Sequence, residues 1–291
     1  MDKMQATAFS IATPVRNALP MLRRCVGSVR RQTGVDAEHL VQDAASTDGT
    51  VEWLRTQAGL TWTSEHDNGM YDAITRAWNR SHGAVLSWLN ADEQYLPGTL
   101  DYVARIFTEE PSTDAVFGDY IICDTETGVP VAARREIQLR RFYLRHGPLY
   151  AMSCTLFFRR RLLERGLLKF QPDLRVVADA GLVMRLLNSG VRFRHVRRYL
   201  ALFGVKGTNM SVTDAGMEET MRLRRQQEGP TGLSIRPLAR LLRIIEKAAA
   251  GSYGKKRVDY EFCVDETGHS KRIVADNVSP RWRWGACSWR Q

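Results

Sequence analysis

The sequence has no uninterrupted apolar stretch near the roughly 18 residues that a membrane-spanning helix requires, which excludes a transmembrane segment within it. The N-terminal run MDKMQATAFSIATP lacks the pattern of a secretory leader, so the expected location is the cytoplasm. Cysteine is scarce: Cys25, Cys123, Cys154, Cys263 and Cys287 are scattered, odd in number and without C-x-x-C spacing. That argues against both a disulfide framework and a zinc site, and buried thiols are the expectation. Glycine is missing from Thr13-Pro14-Val15-Arg16-Asn17, the segment that closes the first apolar run. Without G-x-G-x-x-G there, a dinucleotide-dependent oxidoreductase is excluded. Nucleotidyl transfer, which commonly uses a Gly-rich triphosphate loop at this place, is left as a runner-up. There is no internal repeat.

What is present describes a globular protein. The 291 residues are 44% hydrophobic and 25% charged, enough to bury a sizeable core. The net charge of +10 is unevenly spread. Residues 1–120 hold 10 Lys/Arg against 16 Asp/Glu, while residues 121–291 hold 32 against 16. The basic half calls for an acidic partner, whether nucleotide phosphates, lipid phosphates or a nucleic acid. No nucleic-acid motif accompanies it and the motif-bearing half is acidic, so nucleic-acid binding is the weaker alternative and none is expected.

The first 120 residues alternate short apolar runs with helical periodicities. Strands are predicted at Phe9–Thr13, His39–Gln42, Thr61–Ser64 and Ala84–Leu89, with helices over Leu19–Gln32, from Val51, over Tyr71–Arg80 and from Thr99 to about Phe107. This is an α/β pattern with a mostly parallel sheet. The second half predicts strands at Ala115–Cys123 and Thr155–Phe158 and a helix at Asp179–Leu187. A turn-rich break at Glu228-Gly229-Pro230-Thr231-Gly232 precedes a basic helix.

Polar residues cluster where the strands end, the edge at which open α/β sheets bind ligands. Asp43 closes the second strand, where it can accept a hydrogen bond from a base or ribose; Asp48 in Ser46-Thr47-Asp48-Gly49 reads equally as a helix cap. Ser64 to Ala73 forms a polar loop and helix start, with Asp67 and Asp72. The very apolar fourth strand ends in Asn90-Ala91-Asp92-Glu93, oxygen donors of the kind Mg²⁺ or Mn²⁺ shares with phosphates.

Four runs, S-I-A-T-P-V-R-N, Q-D-A-A-S-T-D-G-T, S-E-H-D-N-G-M-Y-D-A-I and G-A-V-L-S-W-L-N-A-D-E, together resemble the family 2 glycosyltransferases across residues 9–120, more weakly to about 212. The resemblance implies a GT-A (Rossmann-like) fold, a mixed, mostly parallel sheet flanked by helices. It would occupy residues 1–228, with a nucleotide-binding half over 1–120 and an acceptor-binding half over 121–228, followed by a basic helical appendage over 229–291. It implies a metal-dependent, inverting, non-processive hexosyl- or N-acetylhexosaminyltransferase. The donor would be a nucleotide-diphosphate sugar, UDP by preference, and the acceptor a glycan or lipid-linked saccharide. Thr13, Pro14 and Asn17 would belong to the nucleotide pocket, Asp43 would bond the base and Asp67 would face the nucleotide-sugar. Asn90-Ala91-Asp92 would fill the D-x-D position, with Asp92 as ligand to Mn²⁺ or Mg²⁺. Asp179 would be the catalytic base, and Gly204–Ser211 a loop over the diphosphate. By charge, Lys206 or Arg185 could assist phosphate binding; the alternative for Lys206 is a solvated surface position, and for Arg185 a structural ion pair is the favoured reading.

The chain departs from the family pattern at several positions. Ala44 replaces a second acidic residue, so base recognition rests on Asp43; Thr75 replaces the usual Asn, Glu93 the second Asp, and Ala178 the Glu before the base. Arg281-Trp282 and Arg283-Trp284 lack the preceding Gln of processive synthases, since Val278 and Pro280 stand in its place. Over Arg236–Arg257, basic residues interleave with Leu238, Leu241, Leu242, Ile244 and Ile245. Such a helix either lies on an anionic membrane surface, giving a peripheral location at the inner face of the cell membrane, or packs its Leu/Ile face on the catalytic domain.

Overall fold

The computed structural model describes residues 8–205, 214–228 and 235–282. The chain runs β1 (Phe9–Val15), α1 (Leu19–Arg30), β2 (Ala37–Asp43), α2 (Thr50–Arg55), β3 (Leu60–Ser64), α3 (Met70–Asn79), β4 (Val85–Trp88), β5 (Gln94–Tyr95), α4 (Thr99–Glu109) and β6 (Ala115–Asp124). It continues through β7 (Pro130–Arg134), α5 (Arg141–Arg145), β8 (Phe157–Arg159), α6 (Arg161–Glu164), α7 (Ala178–Asn188), β9 (Phe193–Val205), α8 (Asp214–Glu228), α9 (Arg236–Ala249), β10 (Lys256–Cys263) and β11 (Ser270–Val278). The α/β alternation expected from the sequence is present. The strand expected from Thr155 starts later, because residues 153–155 form a 3₁₀ turn in which Thr155 Oγ1 donates to Met152 O at 2.8 Å.

Among the described residues, strands pair in the order β3-β2-β1-β4-β8-β6-β9-β5, with β7 on β6. The segment β3-β2-β1-β4 is parallel throughout. Strands β1 and β4 are buried along their whole length, which is why they read as apolar runs. From β1 the chain moves outward to β2 and β3, then returns to the other side of β1 as β4. That reversal opens a crevice at the carboxyl ends of β1 and β4. Alternate side chains serve opposite faces of the sheet. Phe9, Ile11 and Val85 pack with Cys25 of α1 and Val103 of α4. Leu86 and Trp88 pack with Ile74 and Trp78 of α3 and Leu182 of α7. Trp88 stacks on Phe158 at 6.2 Å and meets Trp78 edge-on at 5.6 Å, giving the crevice an aromatic floor.

Strand β9 closes against the end of β4 through Gly204. A Cβ at this position would lie 2.2 Å from the Asp92 carbonyl oxygen and 2.5 Å from the Thr125 methyl. Only glycine lets the two backbones approach this closely.

The C-terminal segments meet the sheet directly. In the β10–β11 hairpin, Val258, Tyr260 and Phe262 share a cluster with Ile121, Ala133 and Leu202. The buried Gln94 amide donates to Cys263 O at 3.2 Å and accepts from Cys263 N at 2.9 Å. Helix α9 is held by a buried ion pair, Lys247 Nζ to Glu136 Oε2 at 2.6 Å, and by Glu246, which accepts from Arg140 and Tyr143. Its Leu and Ile side chains face outward, which overturns the alternative of an inward Leu/Ile face. The buried Glu136 carboxylate requires a cation, and Lys247 supplies it from the opposite side of the helix. Cys25, Cys123, Cys154 and Cys263 are free and buried, as expected, while Cys287 lies outside the described residues. The same is true of the turn-rich break after Glu228.

Two stability outcomes follow. Lys247→Met leaves Glu136 with Arg134 alone, at 3.0 Å, and is expected to cost about 3 kcal/mol in urea unfolding, with Glu136→Gln restoring part of it. Gly204→Ala is expected to cost about 1–3 kcal/mol; an unchanged urea midpoint would mean that β9 does not press on the Asp92 turn.

Candidate functional site

A cavity of about 1570 Å³ opens at the crevice predicted by the strand order. Its wall includes Pro14 from the end of β1, Asp67 from the loop before α3, Asn90 and Asp92 beyond β4, Tyr120 of β6 and Asp179 of α7. Of the residues singled out from the sequence, Pro14, Asp67, Asn90, Asp92 and Asp179 therefore share one space.

The others stand behind it. Asp43 is fully buried; its Oδ2 accepts from Ser46 N at 3.0 Å and Ser64 Oγ at 2.6 Å, while Oδ1 has no hydrogen-bond partner among the described residues. Thr13 faces away from the cavity, its hydroxyl 2.8 Å from His39 Nε2. Asn17 is exposed and adopts φ 49°; its Oδ1 accepts from Thr47 N and its own amide donates to Ser46 Oγ, both at 2.8 Å. Neither side chain lines the wall: both tie β1 to β2 and so shape the pocket rather than face it. Ala91 packs with Val15 and Leu22 beneath the turn. Asp48 takes a structural place just before the N-cap Gly49, accepting from Leu19 N at 3.0 Å and Thr50 N at 3.2 Å, the first residues of α1 and α2. Arg185 has the structural role expected of it, but it donates to the carbonyls of Leu167 and Lys169 rather than to an acidic side chain. Lys206 and most of the Gly204–Ser211 loop lie outside the described residues.

The turn after β4 is built around Glu93. Fully buried, it accepts from Asn90 N at 2.7 Å and from Ser153 Oγ at 3.2 Å. Burial pushes the Asp92 carboxyl above the ordinary range, and burial together with the neighbouring Asp92 raises Glu93. No basic side chain pairs with Asp92 among the described residues, and Asn90 Oδ1 has no hydrogen-bond partner among them. Two under-compensated oxygen atoms at the cavity wall are the donors a hard divalent cation takes. No group of three His, Cys, Asp or Glu side chains converges among the described residues. The remaining ligands would be substrate oxygens and water, the usual habit of Mg²⁺.

Asp179 begins α7, where its Oδ1 accepts from the Ala180 amide at 2.8 Å. Burial raises its pKa, with the Ala180 amide and Tyr71 hydroxyl opposing the rise. The preceding loop is positioned by a residue that sequence reasoning missed. Glu219 of α8 accepts from Arg175 N at 2.9 Å, Val176 N at 2.8 Å and Val177 N at 3.2 Å. Tyr71 of α3 adds a bond from its hydroxyl to Val176 O at 3.0 Å. Trp88 also lines the cavity, and its indole nitrogen has no partner among the described residues. Glu219 lies in a run of polar helix residues with no local signal, since its partners are more than 40 positions away.

Comparison with known proteins gives the same frame. A PGL/p-HBAD biosynthesis glycosyltransferase of Mycobacterium tuberculosis is 35% identical over 128 residues, which cover 42% of this chain and 50% of that protein. The chain thus spans about half the length of the curated relatives it matches. The structure of Staphylococcus aureus TarS 1–349 in complex with UDP-GlcNAc is 19% identical, covers 84% of this chain and 75% of its own, and has a TM-score of 0.59. A mannosyltransferase from Pyrobaculum calidifontis in complex with GDP-Man and Mn²⁺ is 19% identical, with coverages of 86% and 75% and a TM-score of 0.52. These likenesses show the GT-A fold. The model of glycosyl transferase family 2 matches residues 10–167, more than half of the chain. With the strand order and the placement of the cavity, this establishes that the chain belongs to glycosyl transferase family 2.

Proposed function

We propose that the chain transfers a sugar from a nucleotide-diphosphate sugar, UDP-linked by preference, to a saccharide or lipid-linked saccharide hydroxyl, non-processively and with inversion at the anomeric carbon. The observation that carries the reading is the convergence of Asp67, Asn90, Asp92 and Asp179 on one cavity at the carboxyl ends of β1 and β4. The TarS complex with UDP-GlcNAc and the mannosyltransferase complex with GDP-Man support a nucleotide-sugar donor on this fold.

Each residue has a physical part in the proposed reaction. Pro14 and Asp67 bound the donor side of the cavity, and Asp43, buried behind the wall, would act on the base side by fixing the loops there through Ser46 N and Ser64 Oγ. Asp92, with Asn90 beside it, would hold Mn²⁺ or Mg²⁺, which when bound supplies positive charge against the diphosphate. Asp179 takes the proton of the acceptor hydroxyl as that oxygen bonds to the anomeric carbon and the diphosphate departs with the electrons of the broken C–O bond. A carboxylate whose pKa is raised by burial is a stronger base. Glu219 and Tyr71 act through Asp179 by fixing the loop that carries it.

The runner-up, nucleotidyl transfer, lacks its cradle. Two β1–α1 amides that would hold a triphosphate are already bonded, Asn17 N to Ser46 and Leu19 N to Asp48.

Thermal unfolding with UDP, GDP, dTDP and CDP, each with and without Mn²⁺, tests the donor site. A nucleotide at about 100 times its Kd should add about 2.7 kcal/mol; the gain should require metal and vanish in Asp92→Ala. No response to any nucleotide would sink the reading. For the base, Asp179→Asn is expected to lower kcat by about 10²–10⁴ with UDP binding intact. In the wild type, kcat/KM should fall as pH drops through the raised Asp179 pKa, because protonation removes the acceptor. Glu219→Ala should lower kcat less and leave the nucleotide-induced stabilisation unchanged.

A further inference from the structure

We propose that the outward face of α9 docks the protein on an anionic phospholipid bilayer, with the acceptor side of the cavity at the membrane surface. Helix α9 is amphipathic in the reverse sense to an ordinary surface helix. Its polar side packs inward through Lys247 and Glu246, with Ala239 small enough to permit close approach. Leu238, Leu241, Leu242 and Ile245, at i, i+3, i+4 and i+7, form an outward stripe with Ile244 beside it. These five side chains are 39–54% exposed, and the described residues leave them uncovered. A continuous apolar stripe on a monomer's surface marks an interaction site.

The charges beside the stripe choose the occupant. Arg236, Arg240 and Arg243 line one groove with Leu241 and Ile244 of the stripe, and the 37%-exposed Phe142 of α5 meets His146 at the same groove. An apolar stripe edged by arginine matches the boundary between acyl chains and anionic headgroups. A second copy of the chain, related by a two-fold axis, would bring the same arginines against one another. A bilayer also needs no shape complementarity from a single helix.

The position of the stripe adds a consequence for the reaction. Gly147 and Pro148, which follow α5, line both the catalytic cavity and the groove beside α9. Met217 and Met221 of α8, each 48% exposed, line the same cavity. The acceptor hydroxyl would accordingly be presented by an amphiphile anchored in the bilayer. This last step rests on the glycosyltransferase reading; the docking itself does not.

Co-sedimentation of the full chain with vesicles of phosphatidylcholine alone, or of phosphatidylcholine mixed with phosphatidylglycerol, separates the outcomes. Binding to the mixed vesicles, weakened by salt and at least tenfold lower in Leu241→Glu/Ile245→Glu, is the expected result. Arg240→Glu should weaken binding several-fold without touching the stripe. Unfolding midpoints of both variants should match the wild type, since the substituted side chains are exposed. Failure to bind the mixed vesicles, or equal binding by the double variant, would overturn the proposal. So would concentration-dependent dimerisation that the double variant abolishes, which would assign the stripe to a second copy. Because sedimentation needs no turnover, it stands apart from the nucleotide experiments.

Discussion

The Glu93 carboxylate is buried at the end of the fourth strand, and the geometry of the site depends on it. By accepting from the Asn90 amide and the Ser153 hydroxyl it folds the chain into a tight turn and joins it to the second half of the sheet. A buried carboxylate without such donors would be costly. With them, the turn holds Asp92 at the cavity wall in surroundings too dry for its charge to be well solvated. Gly204 presses on the same turn from the far side, so Asp92 is enclosed by two segments distant in the chain.

The polar groups at the cavity wall and behind it divide into saturated and unsaturated ones. Asp48, Asn17, Ser46 and Ser64 are bonded into the loops, and their work is structural. Asp43 Oδ1, Asn90 Oδ1 and Trp88 Nε1 are buried and unpartnered among the described residues. Buried polar atoms nearly always find partners, which sets these three atoms apart from the bonded groups around them.

The basic half of the chain acts less as a field than as separate contacts. Lys247 is consumed by Glu136, Arg161 by Asp114 and Arg140 by Glu246. Helix α9 follows the same habit, with Lys247 and Glu246 both bonded inward. The inversion of that helix follows from a single local demand, the pairing of Glu136, which outweighed the tendency of leucine and isoleucine to turn inward.

Much of this protein was legible in its sequence. Apolar runs closed by Thr13-Pro14, Asp43 and Asn90-Ala91-Asp92 identified strands and their carboxyl ends, because strand burial and loop polarity are local properties. The order of motifs then indicated a family that the wider comparisons bear out. Which side chains face the cavity was not legible. Thr13 and Asn17 sit in the right segments yet bond to His39 of β2 and to the loop that follows it, while Glu219 carries no local signal. The face on which α9 packs also escaped, since hydrophobic periodicity finds a helix but cannot weigh one buried ion pair against five exposed side chains. The sequence by itself determined the elements, their order and the acidic ends of the strands; only the tertiary structure decided which of those groups meet, because long-range contacts settle how each buried polar atom is satisfied.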